Sequence, residues 1–79
     1  MQETNIYNSK DFFDASIALT IKEVVEALEE KGYNPINQIV GYLMSGDPGY
    51  ISSYKEARKK LTKIDRAKVL EVLVKYFIS

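Results

Sequence analysis

EKGYNPINQIVGYLMSGDPGY, residues 30–50, is dense in residues that begin and end helices. Gly32 suits the left-handed conformation that closes a helix, because it carries no Cβ atom. Asn34 and Pro35 are then typical of an N-cap and a first helical residue. Gly46 offers a second C-cap, and the DPG sequence behind it favours a tight turn. This stretch therefore predicts one helix end, a complete helix between Pro35 and Gly46, and a turn.

Apolar residues recur at helical spacing on both sides of this stretch. Before it, Thr20 and Glu23 match a T-x-x-E capping box, which predicts a helix that starts there and ends near residue 31. After it, Ser53 and Glu56 repeat the same spacing and predict a short basic helix. A last helix is expected over residues 65–77. We therefore predict an all-α fold, a compact bundle of about four short helices.

The helix that begins at Pro35 is apolar on more than one side and has Gly41 near its middle. Because glycine costs about 1 kcal/mol in a helix relative to alanine, its presence indicates a close approach, and we expect a helix crossing at this point.

Residues 1–15 show no sustained apolar period and are expected to form a flexible arm ahead of a single helical domain, residues 16–79. Thr4 is the candidate in this arm for modification by a kinase, although a threonine near a terminus is more often simply a polar residue. Its competitors are Ser9, Ser16 and Thr20.

The composition excludes several classes of function. The 79 residues include no cysteine and no histidine, so thiolate metal sites and the commonest general base are absent. No GxxxxGK[ST] phosphate loop is present. We therefore expect no enzyme activity, no metal and no cofactor. The chain has no apolar run of about 18 residues and no signal peptide, which indicates a cytoplasmic protein without membrane insertion.

Charge is distributed unevenly along the chain. Residues 1–50 hold three lysines and eight carboxylates, whereas residues 51–79 hold eight basic and three acidic side chains. The two halves can attract each other, or the basic half can bind an anionic partner. One such partner would be a nucleic acid bound by residues 55–68, the main alternative function, although the net charge of zero argues against it. The candidate basic face comprises Lys55, Arg58, Lys59, Lys60 and Lys63.

The last helix is too apolar for one interface, because it carries two apolar stripes about a third of a turn apart. One stripe is Leu70, Leu73 and Phe77, and the other is Val69, Val72 and Tyr76. A chain this small has few elements to cover both, so one stripe should pack inside the protomer and the other against a second copy. We predict a homodimer with Val69, Val72 and Tyr76 at its interface.

The sequence from Glu30 to Ile51, followed by Ala57-Arg58 and the final Leu-rich helix, resembles that of the IreB family of small regulatory phosphoproteins of low-GC Gram-positive bacteria. The resemblance covers about three quarters of the chain and is close to word for word over residues 30–51. From the residues alone, the chain is an all-α dimeric interaction module.

The resemblance implies a more specific function. Proteins of this family are substrates of a membrane-bound Ser/Thr kinase with extracellular PASTA domains and of its PP2C-type phosphatase, and they modulate envelope stress responses and antibiotic tolerance. Their arm carries a T-x-x-F/Y word, which residues 4–7 match here, so the resemblance points to phosphorylation at Thr4. Our hypothesis is that the phosphate pairs with Arg58, Lys59 and Lys60.

Overall fold

The computed structural model describes residues 9–79, which form four α-helices and two short 3-10 turns. The prediction of an all-α bundle of about four helices is confirmed. In chain order the elements are α1 (Ser9–Glu30), α2 (Pro35–Ser45), the turns Pro48–Tyr50 and Tyr54–Glu56, α3 (Ala57–Thr62) and α4 (Arg66–Ile78).

α1 is the helix against which the other three pack. Its buried side chains follow helical spacing at Ile17, Ile21, Val24 and Leu28. The helices α2, α3 and α4 each contact this stripe or its edges. They complete one shared apolar core with Ile39, Tyr42, Ala57, Leu61, Val69 and Val72, together with Ile51 from the connection between α2 and α3.

The start of α1 differs from the prediction. The helix begins at Ser9, so residues 9–15 belong to α1 and not to the predicted arm, and the arm's remaining residues lie outside the described chain. Thr20 does not cap a helix, because its hydroxyl donates to the carbonyl of Ser16 at 3.1 Å inside α1. The buried face extends through Ile17 to Asp14, and the polar side chain of Asp14 conceals that continuation in the sequence.

The caps of α2 are confirmed. The Asn34 side chain accepts from the backbone N–H of Asn37 at 3.0 Å, and Pro35 is the first helical residue. Gly32 and Gly46 adopt φ values of 87° and 78°, the left-handed conformation expected of helix C-caps. In the following turn, the carboxylate of Asp47 accepts from the N–H of Gly49 at 2.9 Å.

Gly41 marks a close approach, but the neighbour is a side chain and not a crossing helix. A Cβ atom at position 41 would lie 2.5 Å from Cδ1 of Tyr50. The absence of a side chain at Gly41 therefore makes room for the ring that follows the Asp47 turn, and it fixes that turn against α2.

The predicted capping box of α3 is wrong. Ser53 makes no side-chain cap, and α3 begins only at Ala57. Lys55 and Glu56 instead adopt positive φ values of 49° and 62°, a conformation that is unfavourable for residues with a Cβ atom.

An ion-pair network joins the start of α1 to α4. The buried carboxylate of Asp14 lies 3.1 Å from Nζ of Lys68 and 2.8 Å from Nζ of Lys75. Glu71 lies 3.0 Å from Lys75 and 3.2 Å from Lys10. The ammonium groups of Lys75 and then Lys68 lower the pKa of Asp14, and those of Lys75 and then Lys10 lower the pKa of Glu71 to about 2.

We expect Gly41→Ala to show strong coupling with Tyr50→Ala. In the Tyr50→Ala background the added methyl group meets no ring, so Gly41→Ala should raise the free energy of unfolding by about 1 kcal/mol. With Tyr50 present that gain should be lost, because the ring must move. Urea denaturation of the four proteins gives the coupling energy, expected to exceed about 0.5 kcal/mol. Additive effects would contradict the proposed contact.

The Asp14 network predicts acid-sensitive stability. Because Asp14 and Glu71 bind protons less readily in the folded chain, their contribution is fully present above pH 4.5, the ordinary pKa of the weaker acid, and is lost as pH falls towards about 2. The double variant Asp14→Asn, Glu71→Gln should therefore lose less stability than the native protein between these pH values. Thermal unfolding followed by circular dichroism measures this difference.

The matched control is Glu26→Gln, which also removes an α1 carboxylate. Glu26 is exposed and makes no ion pair within residues 9–79, so this variant should keep the native pH dependence. Equal acid sensitivity in the native protein and the double variant would argue against the network.

Candidate interaction surfaces

The five residues of the candidate basic face lie on α3 or beside it, and α3 runs along the second half of α1. Lys55 lies opposite Glu30, and Lys60 lies opposite Glu23. The two helices therefore run in opposite directions, with the end of α3 nearer to the start of α1. The local chain geometry that presents Lys55 is the positive-φ turn at residues 55 and 56.

Two of the five cations are engaged by carboxylates of α1. Nζ of Lys55 lies 2.8 Å from Oε1 of Glu30, whose Oε2 accepts from the Tyr54 hydroxyl at 3.1 Å. The bond from Lys55, and then that from Tyr54, lowers the pKa of Glu30, and Glu30 in turn raises the pKa of Lys55. Lys60 lies 3.7 Å from Glu23. Part of the charge imbalance is thus satisfied within the chain.

Arg58 has a structural role. Its Nε–H donates to the carbonyl of Ile51 at 2.8 Å, and its backbone N–H donates to the carbonyl of Ser52 at 3.0 Å. Both bonds hold the connection that precedes α3. Lys59 and Lys63 are exposed and form no ion pair with any residue from 9 to 79. The predicted basic face therefore separates into paired lysines, an anchoring arginine and two lysines available to an anion.

An apolar groove of about 690 Å³ lies between α1, α2 and α4. We define the apolar groove by Ile21, Val25, Tyr33, Ile36, Val40 and Leu73. Ile36 is 71% exposed, so the groove contains a large apolar side chain that the protomer leaves in water. Ile36 and Val40 are four residues apart on α2, which is the spacing that marks one helix face. That spacing is visible in the sequence, but it does not show which side of an apolar helix is covered.

α4 packs into the core through the stripe that was predicted to face a second copy. Val69 and Val72 are 0% and 1% exposed, so both belong to the protomer core and neither can contact a second copy without unfolding. The prediction that they form a dimer interface is wrong, because α1 covers them. Tyr76 is half exposed, and the other stripe, Leu70, Leu73 and Phe77, is the one in water, with Phe77 89% exposed.

The candidate phosphorylation site, Thr4, lies outside the described residues. Two of its competitors do not offer free hydroxyls. Ser16 donates to the carbonyl of Phe13 at 3.2 Å, and Thr20 donates to that of Ser16. Both bonds lie within α1. Ser9 is the first residue of that helix.

Within residues 9–79 the structure has neither a cluster of metal-ligating side chains nor a membrane-spanning helix. No group of three Asp or Glu side chains is placed there to hold a metal ion. No helix in this part of the chain combines the length and the apolar character needed to cross a membrane.

Residues 9–79 thus present two lysines without an ion pair, an open apolar groove and an exposed apolar stripe on α4. A family model described as the IreB regulatory phosphoprotein matches residues 2–79, a range that includes Thr4. Because this match spans nearly the full chain, the protein belongs to the IreB family of regulatory phosphoproteins.

Proposed function

We propose that this protein is a non-enzymatic regulator that is phosphorylated on Thr4. The kinase would be a membrane-bound Ser/Thr kinase with PASTA domains, and a PP2C-type phosphatase would reverse the modification. The protein would act in the cytoplasm, through contacts with other proteins, on envelope stress and antibiotic tolerance. Family membership over residues 2–79 is the observation that carries this proposal.

The hydrogen bonding within α1 supports the choice of Thr4. Kinases take up substrates as accessible chain, and the hydroxyls of Ser16 and Thr20 lie on a helix with their donors already used. Thr4 precedes the start of α1 by five residues. The contacts of the basic face weigh against the nucleic-acid alternative, because Lys55 and Lys60 are paired with α1 carboxylates and offer less net charge to phosphates.

We also propose that a second copy covers the apolar groove and the exposed stripe of α4. Leu73 belongs to both, so the two surfaces are continuous. Exposed apolar area of this kind favours association, and a chain of 79 residues has a small core that gains from it. This interface replaces the predicted one at Val69 and Val72.

Phosphorylation should be lost in Thr4→Ala. Incubation of the purified protein with the cognate kinase domain and ATP should add one phosphate to the native chain and to the control Thr20→Ala, and none to Thr4→Ala. Intact-mass spectrometry makes this measurement, and the phosphatase should remove the added mass. A Thr4→Ala chain that is modified to the native extent would refute the assignment.

Leu73→Glu should weaken the dimer without unfolding the protomer. A carboxylate placed at the centre of an apolar interface should raise the dissociation constant at least about tenfold, since this requires only about 1.4 kcal/mol. Sedimentation at several concentrations, with circular dichroism for folding, measures both properties.

Leu19→Glu is the matched control, because Leu19 is exposed on α1 and does not line the groove. It should leave the dimer intact. Val72→Glu should instead unfold the protomer, because it buries an unpaired charge. A dimer that Leu73→Glu leaves unchanged would place the interface elsewhere.

A further inference from the structure

A second, smaller cleft of about 380 Å³ lies between the start of α1 and the start of α4. Phe13 and Ile64 give it apolar lining, and Lys63 and Lys68 give it positive charge. Nζ of Lys68 lies 5.8 Å from the centroid of the Phe13 ring. The cleft therefore combines an exposed aromatic ring with two cations, a composition that suits a short peptide bearing a negative charge.

The two lysines of this cleft differ in the ion pairs that they already form. Lys68 pairs with Asp14 at 3.1 Å and with Glu71 at 3.4 Å. Lys63 is exposed and pairs with no carboxylate in residues 9–79. Asp65 is an acidic side chain of the same cleft and would oppose an anion. Lys63 is accordingly the cation with the most charge to offer a new partner.

The length of the arm limits which basic residues Thr4 can reach within one chain. Ser9, where α1 begins, is five positions after Thr4, and five residue steps span at most about 18 Å when the chain is fully extended. Phe13 lies about 6 Å along α1 from that point. Glu23, which faces Lys60, lies about 21 Å along the helix, and Glu30, which faces Lys55, lies about 32 Å along it.

This geometry separates the basic residues into two groups. Lys55 and Lys60 face points on α1 that are farther from Ser9 than the fully extended arm spans. The cleft beside Phe13, by contrast, begins about 6 Å along α1 from the residue where the arm is attached. Arm conformations that are not fully extended also reach this cleft, so docking there costs less conformational entropy.

We infer that the Phe13 cleft is the docking site for residues 4–8 of the same chain when Thr4 carries a phosphate, with Lys63 as the principal cation for that phosphate. The phosphate itself rests on the proposed function. Ile6 and Tyr7 lie between Thr4 and the helix and supply apolar side chains to cover Phe13 and Ile64. This site replaces the hypothesis of docking on Arg58, Lys59 and Lys60.

The test uses the full chain made by chemical synthesis with phosphothreonine at position 4, so that no kinase is needed. A phosphate near lysines ionises more readily, which lowers its second pKa from an ordinary value near 6. Phosphorus NMR should show that pKa lowered by about half a unit relative to a phosphorylated peptide of residues 1–8. The shift should not depend on protein concentration, because the contact is within one chain.

The variants identify the lysine. Lys63→Ala should abolish most of the shift, and Asp65→Asn should enlarge it by removing the opposing carboxylate. Lys59→Ala is the matched control, since Lys59 is also exposed and forms no ion pair within residues 9–79, and this variant should keep the native value. A phosphate that titrates as in the free peptide, or a shift that Lys59→Ala removes and Lys63→Ala preserves, would overturn the docking site. Either result would leave the kinase experiment on Thr4 unaffected.

Discussion

The structure depends on a single apolar stripe, the face of α1 that carries Val24 and Leu28. Both side chains are completely buried, and each of the other helices packs against α1. Packing three helices against one central helix lets a chain of 79 residues form a single shared core. Its consequence is that α2 and α4 each have one covered side only. The open groove and the exposed stripe of α4 are therefore products of the architecture, and a protein built this way has apolar surface to offer a partner.

The charges are arranged round the same helix. Acidic residues of α1 meet basic residues of α3, of the turn before α3 and of α4 at three places, through Glu23, Glu30 and Asp14 respectively. Exposed pairs such as the first two contribute little to the free energy of unfolding. They oppose other registers of α3 on α1, because a shift of one turn would separate each lysine from its carboxylate. Much of the charge imbalance between the two halves of the chain is thus used in ion pairs that align the helices. Within the basic face, Lys59 and Lys63 form no such pair and are available to other anions.

The sequence predicts most reliably where a local rule acts alone. The ends of α2 follow from Asn34, Pro35 and Gly46, whose side chains or backbone freedom determine their conformations without help from distant residues. The start of α1 was mispredicted because Asp14 interrupts an apolar pattern, and its burial depends on two lysines more than fifty residues away. The two stripes of α4 are similarly apolar. Only the position of α1 determines which one is buried, and a sequence pattern does not contain that position.

The candidate site shows the same division between local and distant causes. A basic cluster near residues 55–63 is evident in the sequence, but the availability of each cation depends on its neighbours in space. The described contacts leave Lys63 available at the end of α3 that lies nearest to the arm. Its neighbour Lys68 helps to hold α4 to α1 through Asp14, and α4 also supplies Leu73 to the apolar groove. A phosphate drawn to this corner would compete with Asp14 for Lys68. Under the proposed docking, the charge on the arm would therefore lie against α4, the helix that supplies Leu73 to the groove.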